Sequence, residues 1–261
     1  MDLELRDKVV VITGGAKGIG AAVARAVAGE HARPVILDFD GAAGEKLAGE
    51  LRAKGAHVQF VAADLTAAGA CQKAVDQVVR EQVRIDALVN NAGVNDRVSL
   101  EQGTPDEFLA SLRRNLLHYF EMAHCTLPHL KSTRGAIVNI ASKVAVTGQG
   151  GTSGYAAAKG GVLALTREWA VDLLNDGVRV NAIVPAEVMT PLYQNWLATF
   201  PNPKEKLAGI VSRIPFEHRM TTPEEIAAAV VFLLSRRVAG HITGQHLFVD
   251  GGYVHLDRAV S

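Results

Sequence analysis

The chain has 261 residues, 48% of them hydrophobic, and 27 Lys and Arg balance 27 Asp and Glu for a formal net charge of zero. That balance leaves no electrostatic footprint for nucleic acid or an anionic membrane surface, and the length suits one α/β domain with a large core. Cys71 and Cys125 lack metal-ligand spacing, and no His-x-x-x-His pair stands beside an acid, so neither a disulfide framework nor a metal centre is expected.

Val9-Val-Val-Ile12 is continuously apolar and β-branched, the pattern of a strand buried in a parallel sheet. Thr13-Gly14-Gly-Ala-Lys17-Gly18-Ile19-Gly20 follows, and then an Ala-rich run, 21–28, that reads as a helix. Strand, glycine loop and helix in that order make a dinucleotide site: glycines let the backbone turn tightly and approach a pyrophosphate, and the helix start offers free N–H groups and a positive dipole end. Gly14, Lys17, Gly18, Ile19 and Gly20 are the candidate contacts.

The second strand, Pro34-Val-Ile-Leu-Asp38, ends in an acid 18 residues past Gly20. This is close to the offset of about 20 at which a carboxylate accepts hydrogen bonds from ribose hydroxyls. Such a carboxylate repels a 2′-phosphate, which favours NAD. Phe39 also stands where an Arg would favour NADP, but Lys17 in the glycine loop could reach a 2′-phosphate, so NADP stays open.

Further helices are predicted over 42–54, 67–83, 105–131, 153–175 and 223–235, and strands near 57–62, 86–91, 135–142, 178–184 and 246–250. This alternation predicts one doubly wound Rossmann domain over 1–261, with a mostly parallel seven-stranded sheet, helices on both faces and right-handed crossovers. Thr222-Pro-Glu-Glu225 is a capping box with Pro at the first helical position. The longest apolar stretches, such as 226–234, are far short of a membrane span, and the acidic start Met1-Asp-Leu-Glu-Leu5 is no secretory signal, so a reducing, cytoplasmic setting is expected. Residues 186–221 break the rhythm with Met189-Thr-Pro-Leu-Tyr-Gln-Asn-Trp196 and Phe200-Pro-Asn-Pro203, a composition that suits a substrate lid. A packed helical hairpin without ligand contact is the alternative.

Tyr155-Ala-Ala-Ala-Lys159 places two side chains on one helix face, a turn apart. A free Tyr hydroxyl titrates near ~10. A neighbouring ammonium favours the phenolate and is expected to pull that value down. The Ser142 hydroxyl brought beside them could hold an alcohol or carbonyl oxygen. Alone, such a pair is more often a helix-surface coincidence.

Together with Thr13…Gly20, Asp64-Leu65, Asn90-Asn91-Ala92-Gly93, Asn115, Ser142 and Pro185 followed by Thr190, the pair makes the chain resemble the short-chain dehydrogenase/reductase family over nearly its whole length. The resemblance implies that Tyr155 is the general acid/base, that Lys159 lowers its pKa and bonds the nicotinamide ribose, and that Ser142 orients the reacting oxygen. By the same resemblance Asn115 holds a water that joins Lys159 to a proton relay. Asp64 bonds the adenine amino group with Leu65 packed nearby. Asn91, Ala92 and Gly93 line the cofactor, and Pro185, Val188 and Thr190 meet the nicotinamide amide. Where the family usually has Gly after that Pro, this chain has Ala186, which predicts a stiffer loop with Glu187 facing the substrate. The resemblance also implies a homotetramer, a dimer of dimers built on the helices near 105–131, 153–175 and 223–235 and on the last strand.

Asn95, Ser142, Thr147, Gln149, Glu187, Tyr193, Asn195 and the Trp196 face suit a polyhydroxylated small molecule, because each buried hydroxyl needs a partner. Asn115-Leu-Leu-His-Tyr119, Ser142-Lys-Val-Ala-Val-Thr-Gly-Gln-Gly150, Thr152-Ser-Gly-Tyr155, Pro185-Ala-Glu-Val-Met-Thr-Pro-Leu-Tyr193 and Asp250-Gly-Gly-Tyr-Val-His-Leu-Asp257 are similar to the bacterial L-fucose dehydrogenases of that family. This implies oxidation of the anomeric hydroxyl of a free aldose, L-fucose or a similar sugar, to its lactone, with Ser142, Gln149, Glu187 and Trp196 gripping the sugar. Two other readings stay open. One is a 3-oxoacyl thioester or hydroxysteroid reductase of the same family, with Arg97, Arg113 and Arg114 as a basic entrance. The other is an NAD-sensing regulator without turnover.

Overall fold

In the computed structural model, which describes residues 2–256, seven strands form one sheet: β1 Val9–Thr13, β2 Arg33–Asp38, β3 Gln59–Ala62, β4 Ala87–Asn90, β5 Ala136–Ile140, β6 Arg179–Pro185 and β7 His246–Val249. Asp257, the end of the last stretch compared above, lies outside the described residues. The order is β3-β2-β1-β4-β5-β6-β7, and every neighbouring pair is parallel, where the sequence predicts only a mostly parallel sheet. The chain order reverses between β1 and β4, so the crevice outside their carboxyl ends is the switch point at which such sheets bind ligands.

β1, β4, β5 and β6 are buried along their whole length, because helices cover both faces and no side needs to be polar. With a period of two, Val9 and Val11 join one core with Leu88, Ile137, Val162 and Trp169, while Val10 and Ile12 join the other with Val89, Val138, Val23 and Val230. The first core is covered by α5 His118–Thr133 and α6 Ser153–Asp172, the second by α1 Gly18–Gly29 and α9 Pro223–Leu234. Each fully buried Val or Ile contributes about 1.5–3 kcal/mol relative to exposure. The remaining helices are α2 Gly41–Arg52, α3 Ala70–Gln82, α4 Pro105–Leu112, α7 Pro191–Leu197, α8 Pro203–Val211 and the short α10 Arg236–Ala239. The capping box at Thr222 starts α9 as expected, and an equivalent one at Thr104 and Glu107 starts α4.

Two expected elements differ. The single helix over 105–131 is instead α4 and α5 joined by a π-turn, Arg113–Leu117. Asn115 at its centre donates to Ser111 O at 3.1 Å and accepts from Val94 N at 2.7 Å, so its side chain competes with regular helix for backbone partners. The strand over 135–142 stops at Ile140, which frees Ser142 to cap a short 3₁₀ turn, Lys143–Ala145. The irregular segment 186–221 contains α7 and α8, started by Pro191 and Pro203 behind the side-chain caps Thr190 and Asn202. Among the described residues no helix is long and apolar enough to cross a membrane, and no group of three or more His, Cys, Asp and Glu could hold a metal ion.

Candidate active site

At the switch point the loops after β1 and β4 are tied together. The Asn91 amide donates to Thr13 O at 2.9 Å and Gly14 O at 3.0 Å, while Thr13 Oγ1 accepts from Asn91 N at 2.9 Å and Ala92 N at 3.1 Å. Gly14 has φ +60°, and a Cβ there would lie 2.8 Å from Ala92 Cα; one on Gly20 would lie 2.1 Å from Gly14 O. No side chain caps α1 and no acid occupies its first turn, so the positive end of the helix is left unneutralised. Thr190, from the loop after β6, stands across from Gly18: a Cβ on Gly18 would lie 3.3 Å from Thr190 Cβ.

Asp38 sits at the carboxyl end of β2, its two oxygens accepting from Ala16 N and Asp40 N at 3.0 Å each. The Lys17 ammonium is bound to Asp40 at 2.5 Å, which keeps the Asp40 carboxyl below the usual range and commits the loop's cation to a neighbouring acid. Exposed Asp64 accepts from Thr66 N at 2.9 Å and Thr66 Oγ1 at 2.7 Å, and these bonds hold its carboxyl low; Leu65 beside it is buried. An uncapped helix start, a glycine turn with no room for side chains and a ribose-type carboxylate are a donor and acceptor set that fits a dinucleotide.

Beyond this half, the π-turn brings Asn115 under the loop after β4. A Cβ on Gly93 would lie 2.9 Å from Asn115 Oδ1 and 3.6 Å from Lys159 Nζ, so Gly93, Asn115 and Lys159 converge. Lys159, on the second turn of α6, is buried and donates to Ile140 O at 2.7 Å and to the Tyr119 hydroxyl at 2.8 Å. Burial pushes its ammonium down to about 7. Its Nζ lies 5.7 Å from the Tyr155 ring centre. Half-buried Tyr155, in the first turn, is hydrogen-bonded to Ser142.

The expected direction of the Tyr155 shift is corrected here. Burial pushes the phenol up to about 12; the Ser142 hydrogen bond pulls against that, and the negative charge of Asp96 adds to it. The cation meant to lower it is itself weakened by burial, and its N–H groups are engaged by Tyr119 and Ile140.

On the far side of Ser142 a second cluster forms. Lys143, buried in the 3₁₀ turn, pairs with the Glu187 carboxylate, and the Tyr193 hydroxyl of α7 donates to Glu187 Oε2 at 2.7 Å. The Lys143 ammonium also lies 4.0 Å from the ring centre of Tyr253, past β7. Trp196 packs edge-on against Tyr193 and Phe200, each at 5.0 Å between ring centres, with the Arg97 guanidinium 5.8 Å from its ring. Val188 is buried beside Thr221, and Pro185 ends β6. The Asn95 side chain accepts from Arg97 N at 3.3 Å and Thr147 donates to Lys143 O at 3.0 Å. Gln149 and Asn195 are exposed and join neither cluster.

Lys143, Tyr119, Asp96 and Tyr253 were not singled out from the sequence. The available signals were adjacency for Lys143 to Ser142 and Asp96 to Asn95, and a four-residue step from Asn115 for Tyr119.

Residues 14–254 match the family model described as enoyl-(acyl carrier protein) reductase. The L-fucose dehydrogenase of Oryctolagus cuniculus is 40% identical over 246 residues, covering 94% of this chain and 84% of that protein. The crystal structure of Cj0485 dehydrogenase is 48% identical with a TM-score of 0.95, covering 99% of this chain and 98% of the other. Ligand-free aldohexose dehydrogenase of Thermoplasma acidophilum is 30% identical with a TM-score of 0.89, covering 100% of this chain and 99% of that one.

Proposed function

Because the chain belongs to the short-chain dehydrogenase/reductase family and is an NAD(P)-dependent oxidoreductase of the alcohol and sugar type, we propose that it oxidises the anomeric hydroxyl of a free aldose, L-fucose or a similarly configured sugar, to its lactone. The observation that carries this reading is the polar wall next to the reacting pair: Ser142 leads directly into the cluster of buried Lys143 with half-buried Glu187 and Tyr193. A ring of hydroxyls finds donors and acceptors there, whereas an acyl chain or a steroid needs an apolar wall. The named activities of the rabbit and Thermoplasma proteins support it.

The nicotinamide, when bound, supplies the hydride acceptor. The protein's share is position and proton transfer. Ser142 holds the sugar's anomeric oxygen, and Tyr155 accepts its hydroxyl proton at the phenolate oxygen as the C1–H bond breaks and the C1–O bond becomes double. Burial keeps Tyr155 protonated at neutral pH in the chain alone, so its base form depends on positive charge beside it, which Lys159 supplies when protonated. Asn115, clamped between Ser111 and Val94, lines the same floor as the end of the proton relay. The α1 start with Gly14, Gly18, Ile19 and Gly20 receives the pyrophosphate, and Asp38 the adenosine ribose. Asp64 and Leu65 flank the adenine. Asn91, Ala92 and Gly93 line the cofactor, and Pro185, Val188 and Thr190 the nicotinamide side. NAD is favoured over NADP because Asp38 repels a 2′-phosphate while Lys17 is already held by Asp40. Asn95, Glu187 and Trp196 bound the sugar site, and 186–221 is its lid.

Exposed Leu117 and Phe120 before and in α5, with Val171 and Leu174 at the end of α6, support a dimer face, and Phe232 with Leu247 a second one, which together make a tetramer; light scattering that gives a monomer would refute this. The reading of the substrate is tested by following NADH formation with free aldoses, 3-hydroxyacyl thioesters and hydroxysteroids. Aldose turnover is expected. The acyl reductase named by the family model is the second reading, and turnover of acyl thioesters alone would establish it instead.

A further inference from the structure

We propose that Tyr119 is a positioning residue for Lys159: its hydroxyl sets the direction of the lysine's N–H bonds at the floor of the active site. The inference rests on the reading above, in which Lys159 assists Tyr155.

Tyr119 has no exposed surface. Its hydroxyl donates to Ile140 O at 2.9 Å and accepts from Lys159 Nζ at 2.8 Å, while Lys159 also donates to Ile140 O at 2.7 Å. The three polar atoms close a triangle at the carboxyl end of β5. An ammonium has three N–H bonds. Two are consumed here, so the third is aimed by the rigid pair that holds the others. The wide turn at Arg113–Leu117 is what makes this possible. Each residue of a regular helix rotates by about 100°, so an extra residue in one turn re-aims everything after it. Asn115 inside that turn and Tyr119 just past it then approach the same lysine, Asn115 from the Gly93 side and Tyr119 from the core.

A structural core tyrosine needs only the bond to Ile140. Here the same oxygen also serves as the neutral acceptor of a buried cation. A carboxylate in its place would fix the ammonium as a permanent ion pair, and a phenyl ring would leave an N–H without a partner. The titratable and charged groups that face Lys159 and Tyr155 are each other on α6, Tyr119 and His118 on α5, and Asp96 from the loop after β4. His118 is held neutral, with burial pushing it down to about 4, so it adds no competing charge near pH 7.

Tyr119→Phe removes the hydroxyl and little else. With one acceptor lost, the cationic form of Lys159 is less favoured, so its pKa falls; with less positive charge nearby, the Tyr155 phenol rises. In the ligand-free protein the ¹⁵Nζ titration of Lys159 is expected to move down by about one pH unit, and the acid limb of kcat to move up by about as much. At neutral pH kcat falls about tenfold while KM for the sugar holds. An unmoved Lys159 titration overturns the inference. A moved titration with an unmoved kcat profile upholds Tyr119 as the lysine's positioner and removes Lys159 from its role beside Tyr155, so the two failures are distinguishable. If the Phe variant does not fold, 3-fluorotyrosine at 119 keeps the hydroxyl but weakens it as an acceptor. It should move the Lys159 titration the same way by less, and no movement overturns the inference equally.

Discussion

Lys143 and Lys159 are both more than nine-tenths buried, on either side of the Ser142–Tyr155 contact, and the fold surrounds them differently. Lys143 meets a carboxylate, Glu187, which in turn accepts from Tyr193, so three separate segments are stitched into one wall. Among the described residues Lys159 donates to neutral oxygens, those of Tyr119 and Ile140. A buried cation facing an anion is electrostatically satisfied and serves architecture. One facing neutral acceptors keeps its desolvation cost, is pushed down towards neutrality, and stays responsive to charge brought beside it.

The comparison breaks most visibly at Tyr155. Tyr155→Phe should lower kcat by about 10³-fold or more, since positioned acid–base groups contribute about 10²–10⁴. It should leave NAD affinity and the thermal midpoint nearly unchanged, because the Lys143 wall is untouched. Steady-state kinetics with a fluorescence titration of NAD checks this, and retained turnover would take the role away from Tyr155.

On the other side, Glu187→Ala strands the buried Lys143 charge and should cost about 3–5 kcal/mol in denaturant unfolding while raising KM for the sugar. Adding Lys143→Met should recover much of the stability but not the KM. An unchanged KM would move Glu187 out of the pocket.

Lys159 also predicts a pH signature. Its folded pKa, about 7, lies below the ordinary lysine value of 10.5, so between these values the unfolded chain binds the extra proton and the native state gains stability as pH rises. Relative to Lys159→Met, the wild type should therefore gain about 2 kcal/mol between pH 7 and pH 9 in urea unfolding. A constant difference would mean that the buried amine is not held near neutrality. The smallest effect is at the cofactor edge. Asp38→Ala should weaken NAD about tenfold, one hydrogen-bonded carboxylate's worth, and NADP less; a wild-type kcat/KM preference for NADP would reverse the reading of Asp38.

Much of the nucleotide half was legible because its signals are local. The buried run of β1, the glycine turn and the Ala-rich helix follow one another within a single strand–turn–helix unit, and Asp38 falls at a fixed offset determined by the next strand. The capping box at Thr222 and the Tyr155–Lys159 face are equally local. The π-turn was not legible, since 105–131 has helical periodicity throughout and the distortion depends on Val94 N, which reaches Asn115 from another loop. Lys143 was not singled out because its partner is 44 positions away.

Residue spacing alone therefore determined which groups share a turn or a strand end: the glycine cradle, the acid that follows it, and a phenol one turn from an amine. The sign of the phenol's shift, the wide turn that aims Asn115 and Tyr119, and the pairing of Lys143 with Glu187 were decided only in three dimensions. Spacing sets which side chains are neighbours along the chain. Desolvation and long-range partners, which set their charge, arise only when distant segments close over them.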